Sequence, residues 1–158
     1  MTNNSGSALL SVKDLKVQYP TDEGVVKALD GVSFDISPGQ TLGVVGESGC
    51  GKSTVGRAIM QILDKPGHVA GGGIEWAPEN GTKLDIVEQK PNGLEMRTLR
   101  GGDIALVFQE PMTSFSPIHT IGNQMSEVIR LHQDKTPAEA REWAEELLNT
   151  VGIPSPSQ

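Results

Sequence analysis

Along the first part of the chain, apolar and polar positions alternate. Leu10, Val12, Leu15, Val17 and Tyr19 keep a period of two with one slip, which predicts a strand carrying a bulge. Val32, Phe34 and Ile36 alternate likewise, and the polar run Pro20-Thr21-Asp22-Glu23-Gly24 predicts a turn between the two, so this stretch reads as antiparallel β-structure. Ser37-Pro38-Gly39 places Pro before Gly, the order a type II turn favours. There the pattern changes. Thr41-Leu42-Gly43-Val44-Val45 is almost continuously apolar and predicts a short strand buried on both faces of a parallel sheet; Ile104-Ala105-Leu106-Val107-Phe108 predicts a second one, ending in Gln109.

Helical spacing follows the first of these runs. Val55, Ala58, Ile59, Ile62 and Leu63 lie on one face of a helix. The segment from Asp64 to Gly73 is rich in Gly and Pro and reads as loop, with Ile74 and Trp76 suggesting a short edge strand. Pro78, Asn80-Gly81, Pro91 and Asn92-Gly93 then punctuate the chain with turns, and only Leu84 to Val87 has strand character. Ile121, Met125, Val128, Ile129 and His132 predict a later helix. Thr136-Pro137-Ala138-Glu139 is a capping box with Pro at the first helical position; Ala140, Trp143, Ala144, Leu147, Leu148 and Val151 form the apolar stripe that follows, and Gly152 closes it. Glu139, Glu142, Glu145 and Glu146 are the solvated face of that last helix. No further element follows for the apolar faces of these two helices, which is the pattern of an unfinished domain.

Chemistry is concentrated in Gly46-Glu47-Ser48-Gly49-Cys50-Gly51-Lys52-Ser53-Thr54, which fits G-x-x-x-x-G-K-S/T without a mismatch. A polyphosphate needs converging N–H donors, a mobile cation and a hydroxyl for its magnesium ion. Gly46, Gly49 and Gly51 allow positive φ and close approach, so that successive N–H groups form a nest around the oxygens. Lys52 reaches the outer phosphates, Ser53 offers the Mg²⁺ ligand, and the helix that begins here points its positive end at the anion. An incidental lysine in a Gly-rich turn is the bland alternative; the order of strand, glycine loop and helix favours a nucleoside triphosphate site. Gln109, at the carboxyl end of its apolar run, is a site candidate on position, because such residues face the ligand crevice of open α/β sheets.

Composition narrows the classes. The 158 residues are enough for one domain with a real core, and a formal charge of -7 without a basic stripe argues against a nucleic-acid surface. No apolar run is long enough to span a bilayer, and Met1 to Ser7 lacks the apolar core of a signal peptide, so the expectation is a soluble cytosolic protein whose membrane role goes through partners. Cys50 is the sole cysteine, which suits a reducing compartment, and it reads as a small packing residue in a tight loop in preference to a redox sensor.

Taken with Tyr19, Val26-Lys27-Ala28-Leu29-Asp30-Gly31-Val32-Ser33-Phe34, Met96-Arg97-Thr98-Leu99-Arg100-Gly101, Val107-Phe108-Gln109-Glu110-Pro111-Met112-Thr113-Ser114, Pro117, Thr120-Ile121-Gly122 and Val151-Gly152-Ile153-Pro154, the loop makes the chain resemble the ATP-binding subunit of an ABC transporter, of the kind that powers dipeptide and oligopeptide importers. The resemblance implies an α/β fold: the P-loop NTPase core of an ABC nucleotide-binding domain with an N-terminal antiparallel β-subdomain, spanning 1–109, and the start of a helical subdomain at 110–158, truncated. It implies ATP and Mg²⁺ as cofactors. Tyr19 would stack on adenine, although a tyrosine ending a strand also serves as packing. Gly46 to Thr54 would hold the phosphates, with Lys52 and Gln109 as catalytic groups and Ser53 and Gln109 at the metal.

Implied partners are membrane permease subunits, a second ATP-binding subunit in a homo- or heterodimer and, indirectly, a solute-binding protein, at the inner face of the cytoplasmic membrane. The sequence also departs from the family. A signature of the LSGGQ kind, an acidic pair closing an apolar strand and a switch histidine are absent from these 158 residues, and His68, His119 and His132 lie in the wrong places for the last. The expectation is weak ATP binding with negligible hydrolysis. Two alternatives stay open: the ATPase of a nickel or other small-solute importer, and a stand-alone nucleotide-binding or regulatory module, against which the unpaired apolar helix faces argue.

Overall fold

The computed structural model describes residues 8–78, 81–109 and 115–157. Met1 to Ser7, Asn80 of the Asn80-Gly81 turn and the motif residues Glu110 to Ser114 lie outside the described residues. The chain divides into two compact units, the first ending at Ile104 and the second beginning at Ala105.

In the first unit four antiparallel strands, β1 (Leu10–Thr21), β2 (Gly24–Ile36), β3 (His68–Trp76) and β4 (Leu84–Asp85), form one sheet in the order β2-β1-β3-β4. β1 and β2 are the expected hairpin, with Thr21 opposite Gly24 across the polar turn. The slip in apolar spacing is a bulge: register shifts between Val12 and Leu15, where Asp14 takes φ 47°. The bulge keeps Val12, Leu15 and Val17 all on the core side, each at most 1% exposed. The expected turn after β2 also forms, with Gly39 at φ 71° and the Gln40 N–H donating to the Ser37 carbonyl at 3.0 Å.

β3 overturns the loop and short edge strand expected for this segment. It runs nine residues and is interior, paired with β1 on one side and β4 on the other. Its Gly71-Gly72-Gly73 run has the look of a breaker but answers the bulge across the sheet. Gly72 sits at φ 84°, where a Cβ would collide with the Asp14 carbonyl and lie 2.5 Å from that of Lys13.

Neither of the two strands expected for a parallel sheet forms. Thr41 to Val45 is irregular, with Val45 93% exposed, and of the second run Ile104 alone makes a bridge, to Arg100, while Val107 is 90% exposed. A doubly buried strand needs partners on both hydrogen-bonding edges as well as cover on both faces. The described sheet is antiparallel throughout and neither segment joins it, so apolarity alone does not order them.

Helix α1 (Lys52–Ile59) and helix α2 (Leu94–Thr98) complete the first core. Val55, Ala58 and Ile59 of α1 pack with Leu15, Ile74, Ile86 and Met96. α1 is shorter than its apolar spacing predicts. Gln61, left-handed at φ 49°, turns the chain away, so Ile62 and Leu63 fall in the connection to β3.

The second unit contains α3 (Ile121–His132) and α4 (Pro137–Thr150), both at their expected places. They meet through Ile129, Ala140 and Ala144, with Met125 and Trp143 alongside. Outer positions of the α4 stripe remain solvated, Leu147 at 40% and Val151 at 72% exposure. The capping box is complete: the Thr136 N–H donates to the Glu139 carboxylate at 2.8 Å and the Glu139 N–H to the Thr136 hydroxyl at 3.4 Å. Hydrogen bonds from the Thr136 side chain and backbone hold the Glu139 carboxyl below the ordinary glutamate range. A depressed carboxyl contributes stability above its unfolded value and loses it as pH falls through its folded value. On acidification below the ordinary glutamate range, the excess helicity of the wild type over Glu139→Ala, followed by far-UV ellipticity, is therefore expected to vanish; a difference that persists at the acid end would place the effect in helix propensity instead.

Candidate functional site

The glycine loop is built by its contacts with β2 and by its own lysine. Gly51, at the N-terminal boundary of α1, is left-handed at φ 95°; a Cβ there would lie 2.6 Å from the Ala28 carbonyl oxygen and 2.8 Å from Leu29 Cδ2. The mouth of the helix is thus pressed against β2 with no space for a side chain. Gly49 is also left-handed, at φ 80°, whereas Gly46 does not take the positive φ expected of it. What Gly46 needs is room, because a Cβ would stand 2.6 Å from Cys50 Sγ.

Lys52 Nζ donates to the carbonyls of Gly46 at 2.9 Å and Glu47 at 2.6 Å, with Cys50 Sγ at 3.7 Å. The Cys50 N–H donates to the Glu47 carbonyl at 3.4 Å. One ammonium therefore cinches both ends of the loop. Glu47, Ser48, Gly49 and Cys50 are exposed, as is Ser53 in the first turn of α1, with Thr54 half-buried behind it. The first turn of α1 carries no acidic side chain to oppose an anion at its positive end. This donor set fits a magnesium-bound polyphosphate: a mobile cation, a hydroxyl and exposed loop amides ahead of a helix N-terminus.

Tyr19 also belongs to the first unit. Half-buried at the end of β1 and opposite Val26, it packs against the main core with its ring over Gly67, whose missing Cβ makes the space. Gln109 is exposed and belongs to the second unit. Within the first unit Arg100 makes a contact that no local pattern signals. Its Nε donates to the Met60 carbonyl at 2.8 Å and its guanidinium NH2 to the Gln61 carbonyl at 3.3 Å, across some forty positions of sequence, at the far end of α1.

A glycine loop running into a helix that packs on a β-sheet is the pattern of P-loop nucleotide-binding proteins, here without a regular strand leading into the loop. Residues 29–158 match the ABC transporter family, and the chain belongs to it. It is 40% identical over 158 residues to the probable peptide ABC transporter ATP-binding protein y4tR of Sinorhizobium fredii, an alignment that covers 99% of this chain and 45% of that protein. Identity to the dipeptide transport ATP-binding protein DppD of Escherichia coli is 40%, over 95% of this chain and 44% of the relative. For the oligopeptide transport ATP-binding protein AmiE of Streptococcus pneumoniae it is 38%, over 94% and 40%. The chain thus spans less than half the length of these relatives. Its fold matches that of the ATP-binding cassette MJ0796, solved as a dimer in a post-hydrolysis state with ADP and Pi, with a TM-score of 0.72 at 22% identity over 89% of this chain and 56% of that one. The fold is that of an ABC ATPase domain, here an antiparallel sheet plus helices. Among the described residues no helix is long and apolar enough to cross a membrane.

Proposed function

We propose that this chain is part of the ATP-binding subunit of an ABC importer, one that couples ATP binding and hydrolysis to the passage of dipeptides or oligopeptides across the cytoplasmic membrane. The observation that carries the reading is the Lys52 ammonium gathered with the loop at the N-terminus of α1. The names of these three relatives, peptide transport proteins in each case, favour peptides over nickel or another small solute. Residues 1–109 serve as the ATP-binding core and 110–158 as part of the helical subdomain.

Gly46 to Thr54 hold the phosphates, Lys52 as the cation that exchanges loop carbonyls for phosphate oxygens. Ser53 would ligate Mg²⁺ and Tyr19 would offer its ring to the adenine; Gln109, which lies in the second unit, is assigned a metal-binding and catalytic role by the family resemblance alone. The bound Mg·ATP supplies the phosphoanhydride whose cleavage drives transport. Partners are permease subunits, a second ATP-binding subunit and, indirectly, a solute-binding protein, at the inner face of the membrane. The solvated Leu147 and Val151 argue against a stand-alone regulatory module.

The 158-residue polypeptide is expected to bind ATP weakly and to hydrolyse it negligibly, because these residues contain no LSGGQ-type signature and no apolar strand closed by an acidic pair, Ile104 to Phe108 leading into Gln109. Phosphoryl transfer rests on positioned charge of the kind such carboxylates provide. Calorimetric titration of Mg·ATP into the chain and into Lys52→Ala, with phosphate release followed in the same samples, tests both parts. Expected are binding to the wild type, affinity at least about tenfold weaker in the variant, on the scale of one lost charge-assisted contact, and no release. Equal affinity in both would remove Lys52 from the site, and Lys52-dependent release would overturn the claim of no turnover.

A further inference from the structure

The helix that presents the phosphate loop is held at its opposite end by a side chain with no assigned role. We propose that Arg100 is a positioning residue for the nucleotide site, acting through α1 and not on the ligand; the proposal rests on the reading of the loop as that site.

At eight residues α1 is roughly 12 Å long, so any tilt of its C-terminal end is passed to the loop over two turns. Short helices in water are marginal and depend on tertiary fixation. Three buried side chains, Val55, Ala58 and Ile59, set the face that α1 turns to the sheet. Apolar packing of this kind selects the buried face but, being non-directional, leaves the fine placement of the helix ends to directional contacts. Sliding is opposed at the front by Gly51 against the Ala28 carbonyl, and at the back by Arg100.

The last carbonyls of a helix have no partner within it. The carbonyls of Met60, the C-cap of α1, and of Gln61, the left-handed residue just after it, accept from Nε and a terminal N–H of the Arg100 guanidinium, part-buried. A planar two-donor fork fixes direction as well as distance, and its charge faces the negative end of the helix dipole. Arg100 is itself held. Leu99 before it is 2% exposed. Gly101 after it turns at φ 81°, closed by Gly101 N–H to the Ile104 carbonyl at 2.8 Å and Ile104 N–H to the Leu99 carbonyl at 2.9 Å. A second tether, Gln61 Nε2 on the Ile86 carbonyl, and the Arg57–Asp64 ion pair act on the same end. Neither reaches the Met60 carbonyl.

The test compares wild type, Arg100→Ala, Arg100→Lys and a core control, Ile74→Val, all at a temperature where each is folded. Calorimetry with Mg·ATP is paired with hydrogen exchange of the α1 amides in the nucleotide-free chain. Arg100→Ala is expected to bind Mg·ATP about tenfold more weakly, the scale of a catalytic-site misplacement well under an ångström, and to exchange its α1 amides faster. Arg100→Lys, which keeps the charge and loses the fork, should recover part of the affinity, and it serves alone if the alanine variant does not fold. Ile74→Val should lower stability with affinity unchanged. Affinity that simply tracks stability across all four proteins would reduce Arg100 to a structural residue and overturn the proposal. Unaltered α1 exchange in both Arg100 variants would overturn it whether or not the wild type binds nucleotide, whereas a wild type that fails to bind while α1 exchange still responds to Arg100 would sink the nucleotide reading and leave the clamp standing.

Discussion

Leu15→Ala is expected to cost the first unit about 3 kcal/mol, within the 2–5 kcal/mol that large-to-small changes in a packed core remove. Leu15 is fully buried in β1, immediately after the bulge, and belongs to the cluster that joins the sheet to α1 and α2. The cavity cannot close easily, because Ile74 of β3, Met96 of α2 and Ile86, whose N–H donates to the Ile74 carbonyl, are also fully buried. Urea unfolding followed by tryptophan fluorescence and ellipticity gives the difference, with Val26→Ala as control: Val26 is 55% exposed on β2 and should lie within about 0.5 kcal/mol of wild type. A Leu15→Ala loss no larger than the control's would mean the core is not packed as described.

Gly72→Ala is expected to be nearly as damaging, for a different reason. An alanine there must hold φ near 84° and also displace the backbone of the β1 bulge, since its Cβ meets the Lys13 and Asp14 carbonyls. Left-handed backbone at a non-glycine residue costs about 1–2 kcal/mol by itself, and moving a bulge that is hydrogen-bonded on both sides adds to that. Gly39→Ala separates the two contributions, because Gly39 has φ 71° with nothing within 4 Å of an added Cβ. The same unfolding assay should find Gly39→Ala worse than wild type by the torsional part alone and Gly72→Ala clearly worse again. Equal values for the two would show that the bulge yields freely.

The residues on which sequence reasoning succeeded and failed divide by range. Hairpin, bulge, type II turn and capping box are local: the slip from Val12 to Leu15, Pro38 before Gly39, and Thr136 with Glu139 each state their geometry within a few positions. β3 escapes a local reading because its glycines look like a breaker unless the bulge at Asp14, far back in the chain, is taken into account. Thr41 to Val45 and Ile104 to Phe108 are apolar enough for interior strands, but pairing is a property of neighbours and a run of side chains does not contain it. In the candidate site, the left-handed turns at Gly49 and Gly51 were legible from the motif. The carbonyls that receive Lys52, the bed that Gly67 makes for Tyr19, and the Arg100 fork on α1 are not, since each joins groups whose meeting depends on the folded backbone.

The grip of Lys52 on two carbonyls of its own loop also sets a selectivity. An anion that approaches the loop meets a cation already satisfied by neutral oxygens, so the gain is the difference between the two sets of acceptors and not the whole attraction of a bare charge. A single inorganic phosphate, well hydrated and with few oxygens to place, gains little by that exchange. A chain of linked phosphates can offer oxygens to the ammonium and to the loop amides at once, the second contact following the first without a new loss of freedom. On the proposed reading the loop would pass over abundant small anions and answer to the polyphosphate tail of a nucleotide.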